Sequence, residues 1–532
     1  MSRAILLTAL PLLGWWLTGL FDLDEGFYGA VVAEMNRRHE WVTPYFDGHP
    51  WFEKPILLYW LAKPTVALFG FDVGPRLPSV LCTLATVAVV GGWGERRLRP
   101  GAGVLAALVL GSSLLPVALG RMMMTDPPLV LCLTVAFLGY WEVQERPWFL
   151  VAVGAALGFG VLAKGPVALL LFFPVALYLA VRQLKARRVL AMGIIVPVAF
   201  ALGLFIQLTA QHSLPSDSFL GRVLPGLGIV IAICLAPALL TPRVQRLGAG
   251  YKSYPFVWSC AWFSLAAVIA AWYLPAYQAN GQTFVQKFLI EQNLGRFSGG
   301  DDAHTLGIAS LPLYIPIVLL GIAPWSWWLW DAFKNRSDED HRRGYLWAWA
   351  GTVFFFFSLS GAKLPHYVLP LFPPLALLVA DRLTLRPWAL RLGVGMIVFM
   401  TLFANAGFYA WSVFSGQAEA HRLIREPVVQ NAPQVALYQI GRREASKGTG
   451  ETRLRETSLP SLTMYLDRTP LEIEEPADLD KLPDGTVVFT RTGRIPNPVD
   501  AHFATVEQGK NYVLYRKEPP GNEPLRPRNS SG

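Results

Sequence analysis

The chain has 532 residues, 53% of them hydrophobic and only 16% charged, with a mean hydropathy of +0.38. Soluble domains carry about a quarter charged residues. This composition therefore excludes a disordered chain, a coiled coil and a small disulfide scaffold, and points to one large membrane-embedded unit. Lys and Arg number 46 against 37 Asp and Glu, a net of +9. Where that surplus sits decides whether it serves an acidic ligand, a nucleic acid or a membrane.

Apolar runs of membrane-spanning length recur from the start to about residue 411. They lie near 4–20, 77–92, 101–119, 128–141, 148–162, 166–181, 189–207, 223–240, 257–273, 308–330, 345–359, 364–380 and 389–411, about thirteen in all. The first resembles a signal peptide but lacks a small-x-small cleavage site, so it reads as a retained helix. Cys82, Cys132, Cys234 and Cys260 all lie inside apolar runs without C-x-x-C spacing, which suggests neither disulfides nor a zinc site.

With the N-terminus in the cytosol, alternate connections become cytosolic. These hold Arg96, Arg97 and Arg99; Lys185, Arg187 and Arg188; Arg243, Arg246 and Lys252; Arg342 and Arg343; and Arg382, Arg386 and Arg391. Such an excess of cations in cytosolic loops is the positive-inside pattern. The opposite loops are slightly acidic. The net charge thus reports orientation, and nucleic acid is not expected as a partner. An odd number of spans places the segment 412–532 outside the cell. There the composition becomes that of a small soluble domain. Strands are expected at Ala436–Ile440, Thr486–Arg491 and Tyr512–Arg516, a helical turn at Ala477–Leu482 and a frayed tail from about 520. The fold class expected is mainly α: a polytopic helical bundle, residues 1–411, with a small outer α/β domain.

Polar residues near membrane depth are costly and therefore candidates for function. Here they gather on the outer face. The first outer loop, 21–76, opens F-D-L-D-E-G-F-Y, with Asp22, Asp24 and Glu25 at the end of the first span. Tyr28, Val31, Val32 and Met35 then repeat at i, i+3, i+4, i+7, the pattern of an amphipathic helix lying in the interface. The same acids also suit a plain helix start. Glu53 and Lys54 precede Pro55. Lys54 suits a phosphate and Glu53 a divalent cation, and the two equally suit a mutual ion pair. Arg121 and Asp126 share G-R-M-M-M-T-D-P-P, and Lys164 lies in A-K-G-P. Lys363, His366 and Tyr367 occupy K-L-P-H-Y-V-L-P, and Glu291, Asn293 and Arg296 lie on a second expected interfacial helix in the loop 274–307. Singly, each fits snorkelling to headgroups. Together, five loops bring cations and carboxylates to one face. A phosphate-bearing lipid donor fits this set: cations for the leaving phosphate and a carboxylate for the proton of the attacking group. No P-loop and no Rossmann fingerprint follows a strand.

At these residues the chain resembles the membrane glycosyltransferases that use polyprenyl-phosphate sugars, whose bacterial branch includes the lipid A aminoarabinose transferases. Protein O-mannosyltransferases are more distant relatives. The motifs are D-E-G-F-Y with A-E-M, W-V-T-P-Y-F-D-G, E-K-P-I-L-L-Y-W, T-D-P-P, A-K-G-P, N-L-G-R-F and K-L-P-H-Y-V-L-P-L-F-P, in that order. The resemblance implies transfer from an undecaprenyl-phosphate sugar to a lipid, glycan or protein acceptor at the outer face of the bacterial inner membrane. It implies Asp24 as the general base or acceptor-orienting carboxylate, Asp126 as a second acid near the cavity, and Lys54, Arg296 and Tyr367 at the donor phosphate. Lys164 and Lys363 also stand in family motifs, and Glu53 is the implied ligand of any divalent metal. This chain has Phe27 where the aminoarabinose transferases usually carry Arg, and Asn293 where they often carry His. The competing class is a flippase or transporter. Such proteins place ionisable groups at the midplane on broken, symmetry-related helices, whereas here they cluster at one surface.

Overall fold

A computed structural model describes residues 2–22, 24–143, 145–183, 254–295, 312–334, 341–360, 363–440, 459–466, 468–473, 475–495 and 502–519. It is mainly helical. Among the described residues, Leu77–Arg97, Phe256–Phe288 and Ala389–Phe414 are long and apolar enough to cross a membrane. Asp126–Glu142, Phe149–Lys164 and Val167–Gln183 are apolar helices of 16 or 17 residues that pack against them. The expected spans 189–207 and 223–240 lie outside the described residues.

Several expected spans are broken helices. The run 4–20 is a Ser2–Thr8 helix and a 3-10 turn at Leu10–Leu12, ended by Gly14 at φ +83°. The run 101–119 splits into Ala102–Gly111 and Leu114–Gly120, bent by 63°. At the break the hydroxyls of Ser112 and Ser113 donate to the carbonyls of Leu108 and Val109 (2.6 and 2.7 Å). The run 308–330 splits at Ile322–Trp325, where Pro324 has no N–H to continue the ladder, into Tyr314–Gly321 and Ser326–Lys334. The run 364–380 begins as a 3-10 turn, Pro365–Leu371, and continues as Phe372–Leu383. Hydropathy registers apolarity, not which carbonyls find a donor, so these breaks escape it.

The C-terminal domain is a mixed five-stranded sheet in the order Leu471–Ile473, Val435–Tyr438, Val487–Arg491, Tyr512–Lys517, Phe503–Gln508. The first three run parallel and the last two pair antiparallel, with Leu437, Phe489 and Leu514 in register across the middle. Three strands stand where the sequence places them. The outer two, and the helices Gln417–Ile424 and Ser461–Leu466, were not expected.

The helix Asp24–Arg37 joins the two parts. Its periodicity is as read, but it does not lie half-exposed in an interface: every residue from Glu25 to Met35 is buried. Tyr28, Val31, Val32 and Met35 pack into the membrane-side core. The opposite face is small. Ala33, with Leu20, belongs to the core of the C-terminal domain, beside Leu462 and Met464. Glycine and alanine read as neutral in hydropathy, so only the first face was visible in the sequence.

Candidate functional site

The site lies where the starts of two helices, the end of a third, the connection before a fourth and a 3-10 turn converge. Asp24 opens Asp24–Arg37 and Asp126 opens Asp126–Glu142, so each carboxylate stands at a helix N-terminus, where partial positive charge favours it. Lys164 is the last residue of Phe149–Lys164, which stops at Gly165 with φ +78°. Lys54 and Glu53 lie half-buried in the connection before Leu57–Val73. His366 and Tyr367 lie in the 3-10 turn Pro365–Leu371.

Asp126 is 1% exposed and its Oδ1 accepts from Lys164 Nζ at 2.6 Å. Its Oδ2 is buried without a partner. The same ammonium lies 4.6 Å from the centre of the Tyr367 ring, a cation–π placement. Tyr28 lies within electrostatic reach of Asp24, Glu53, Asp126 and Tyr59; burial first, then these charges, raises its phenol well above the ordinary tyrosine value. Burial, with Glu53, raises Tyr59 likewise, and its hydroxyl is buried without a partner. Both phenols therefore stay neutral. His366 lies within reach of Asp126, Lys164, Asp24 and Lys54. Asp24, Glu53, Lys54, Asp126, Lys164 and Tyr367 thus surround one place, with Tyr28, Tyr59 and His366 between them. A buried carboxylate oxygen and a buried phenol without partners are costly unless a ligand meets them.

Lys363 is held differently. Its Nζ donates to the carbonyls of Ser358 and Ser360 at 2.9 and 2.6 Å, satisfying the C-terminal end of His341–Leu359. One of its three donors is left for anything else. Arg296 lies outside the described residues, and of Asn293 only the backbone is described, inside an irregular helical stretch, Val285–Gly295. Among the described residues no three His, Cys, Asp or Glu gather to hold a metal ion, so Glu53 is assigned no metal-dependent step.

The two acidic helix starts are tied by a pair that the sequence did not single out. Glu25, fully buried, accepts through Oε1 from Arg76 Nε (2.7 Å) and the Met123 N–H (2.5 Å). Through Oε2 it accepts from Arg76 Nη2 (2.7 Å) and the Phe21 N–H (2.9 Å). Arg76 spends its remaining donors on the carbonyls of Trp15, Thr18 and Gly19. This closed network holds the residue after Asp24 against the segment leading into Asp126. Its two members are 51 residues apart. The only sequence signal was two charges set among apolar neighbours. Aromatic packing supports the same helix, with Phe27 stacked on Trp51 at 5.2 Å and Glu34 accepting from the Gly48 N–H.

Residues 53–209 match the family described as Dolichyl-phosphate-mannose-protein mannosyltransferase. The chain is 26% identical over 373 residues to the undecaprenyl phosphate-alpha-4-amino-4-deoxy-L-arabinose arabinosyl transferase of Edwardsiella ictaluri (strain 93-146), covering 68% of this chain and 55% of that protein. It is 26% identical over 429 residues to the protein of the same name from Pseudomonas aeruginosa (strain UCBPP-PA14), covering 78% and 64%. The chain therefore spans less than two thirds of the length of these relatives. The crystal structure of ArnT from Cupriavidus metallidurans bound to undecaprenyl phosphate superposes with a TM-score of 0.67 at 16% identity, over 98% of this chain and 99% of that one. The two share a fold.

Proposed function

Since the chain resembles the glycosyltransferases that draw sugars from polyprenyl phosphates, we propose that it transfers a sugar from undecaprenyl phosphate to a lipid, glycan or protein acceptor. The transfer takes place at the outer face of the bacterial inner membrane. In this reading about thirteen spans cross the bilayer, the N-terminus is cytoplasmic and the C-terminal domain is outside.

The acceptor hydroxyl or amine attacks the anomeric carbon as the bond from that carbon to the phosphate oxygen breaks, which inverts the configuration. Asp24 takes the acceptor's proton. Lys54, Lys164, Arg296 and Tyr367 meet the phosphate and stabilise the charge it gains on leaving. Asp126, paired with Lys164 and carrying one unpartnered oxygen, orients acceptor or donor hydroxyls, and the neutral Tyr28 and Tyr59 donate hydrogen bonds. The observation that carries the reading is the convergence of Asp24, Asp126, Lys54 and Lys164 from separate connections, with two buried polar atoms turned toward no protein partner. A transporter needs no such set.

Glycolipid and glycoprotein mass spectrometry of a deletion strain tests the class of reaction. One envelope component should lose a single sugar and regain it when the gene is restored. An unchanged glycan and glycolipid profile contradicts the proposal.

A further inference from the structure

The C-terminal domain meets the rest of the chain at the helix that carries Asp24, and the seam is built for close approach. A Cβ on Gly26 would lie 1.8 Å from Asp22 Oδ1 and 2.7 Å from the Ser461 nitrogen. On Gly29 it would lie 2.5 Å from Leu20 Cδ1 and 2.7 Å from Met464 Sδ, and on Gly19 2.0 Å from His421 Nδ1. Across this seam runs a chain of hydrogen bonds. The Ser461 hydroxyl donates to Asp22 Oδ2 at 2.6 Å and the Ser461 N–H to Asp22 Oδ1 at 2.9 Å. His421 Nε2 lies 2.9 Å from Ser461 Oγ, and the Leu20 N–H donates to the Tyr465 hydroxyl at 3.0 Å. Ser461 and His421 are buried.

Asp24 therefore stands between two anchors. Asp22 is tied upward to the C-terminal domain, and Glu25 is tied downward to Arg76 and the approach to Asp126. A carboxylate that must receive a proton in the transition state depends on placement within a fraction of an ångström. Apolar packing around Leu20 and Ala33 already joins the two parts. The polar chain adds direction to that contact, because it fixes the backbone two residues before the base.

We propose that Ser461 of the C-terminal domain is a positioning residue for glycosyl transfer: by holding Asp22 it sets where the Asp24 carboxylate stands. This rests on the reading of Asp24 as the base. The outer domain is then part of the catalytic unit rather than an appendage.

The test uses the full-length protein in detergent. Ser461→Ala removes the two hydrogen bonds of the hydroxyl, to Asp22 and with His421, and keeps the backbone N–H that donates to Asp22. It should lower kcat roughly 10-fold and leave the donor KM within twofold, since Lys54 and Lys164 are untouched. Asp22→Asn can still accept from the Ser461 N–H and can donate to its hydroxyl, so it should keep most of kcat. Asp22→Ala should lose as much as Ser461→Ala or more. Wild-type kcat in Ser461→Ala, or equal losses in Asp22→Asn and Asp22→Ala, overturns the proposal. Hydrogen exchange reads the same coupling without catalysis. In Ser461→Ala the amides of residues 24–28 should exchange faster than in the wild type, and unchanged exchange also overturns it. A wild-type protein that transfers no sugar refutes the functional reading instead, and leaves the exchange measurement to decide the docking.

Discussion

Replacing Glu25 by Ala isolates the network that holds the two acidic helix starts together. The carboxylate accepts four hydrogen bonds, two of them from Arg76, and the side chains are 0% and 1% exposed. Without it, the guanidinium keeps only neutral oxygens around it, at Trp15, Thr18 and Gly19, and the Phe21 and Met123 N–H groups lose their acceptor. Removing one member of a buried ion pair costs about 3–5 kcal/mol, because an uncompensated charge is left behind. Thermal unfolding in detergent should therefore show a large fall in apparent Tm for Glu25→Ala and for Arg76→Ala. The double variant should fall by clearly less than the two losses added, since the coupling of residues in one network is about 0.5–3 kcal/mol. The exposed pair Lys481–Asp478 serves as the contrast, and Lys481→Ala should leave Tm unchanged. A Glu25→Ala protein that melts with the wild type, or single losses that simply add, would refute the closed network.

Lys164→Met strands the Asp126 carboxylate, which is 1% exposed and already has one oxygen without a partner. It should cost roughly 3 kcal/mol in a Tm series, and most of that should return in the double variant with Asp126→Asn. Asp22 gives a pH dependence. Burial, opposed by its Ser461 hydrogen bonds and assisted by Glu25, raises its carboxyl from 3.8 to about 7. The folded chain therefore holds this proton more tightly than the unfolded chain does. The resulting stability is complete below about pH 4 and is lost as pH rises through about 7. His421, Arg76, Tyr465 and Tyr512 also face the seam, and Asp22→Asn leaves them in place. The decline of Tm between about pH 4 and pH 7 should accordingly be shallower in that variant; identical slopes would show that Asp22 does not titrate there. Lys363→Met removes two hydrogen bonds from the end of His341–Leu359 and should cost about 1–2 kcal/mol. An unchanged donor KM would mark it as a helix cap, and a raised KM as a phosphate contact.

How far the sequence could be read depended on the kind of interaction. Runs of apolar residues are local, and they located helices across the described part of the chain. The breaks at Ser112–Ser113 and Ile322–Trp325 are also local. They depend, however, on where individual carbonyls find donors, which hydropathy does not register. The Asp24–Arg37 helix shows the limit most clearly. Tyr28, Val31, Val32 and Met35 announced one face, whereas Gly26, Gly29 and Ala33, which carry the other, are nearly silent in hydropathy and speak only through packing. Within the site, Asp24, Lys54, Asp126, Lys164 and Tyr367 were legible because charge and aromatic groups near a membrane are conspicuous. Arg76 as the partner of Glu25, and Tyr59 and Ser461, were not. Their part depends on contacts between segments 51 to 439 residues apart, and on burial, which single residues do not declare.

The most direct test of the account is sugar transfer by the purified wild type and by Asp24→Asn, in detergent, from undecaprenyl-phosphate sugar to the acceptor found by mass spectrometry. Detergent abolishes any transmembrane gradient, so product formation there separates transfer from transport. Asp24 is exposed at a helix start, so the variant should fold and melt as the wild type does. The account predicts product from the wild type and none above background from Asp24→Asn. Equal product from both would contradict it.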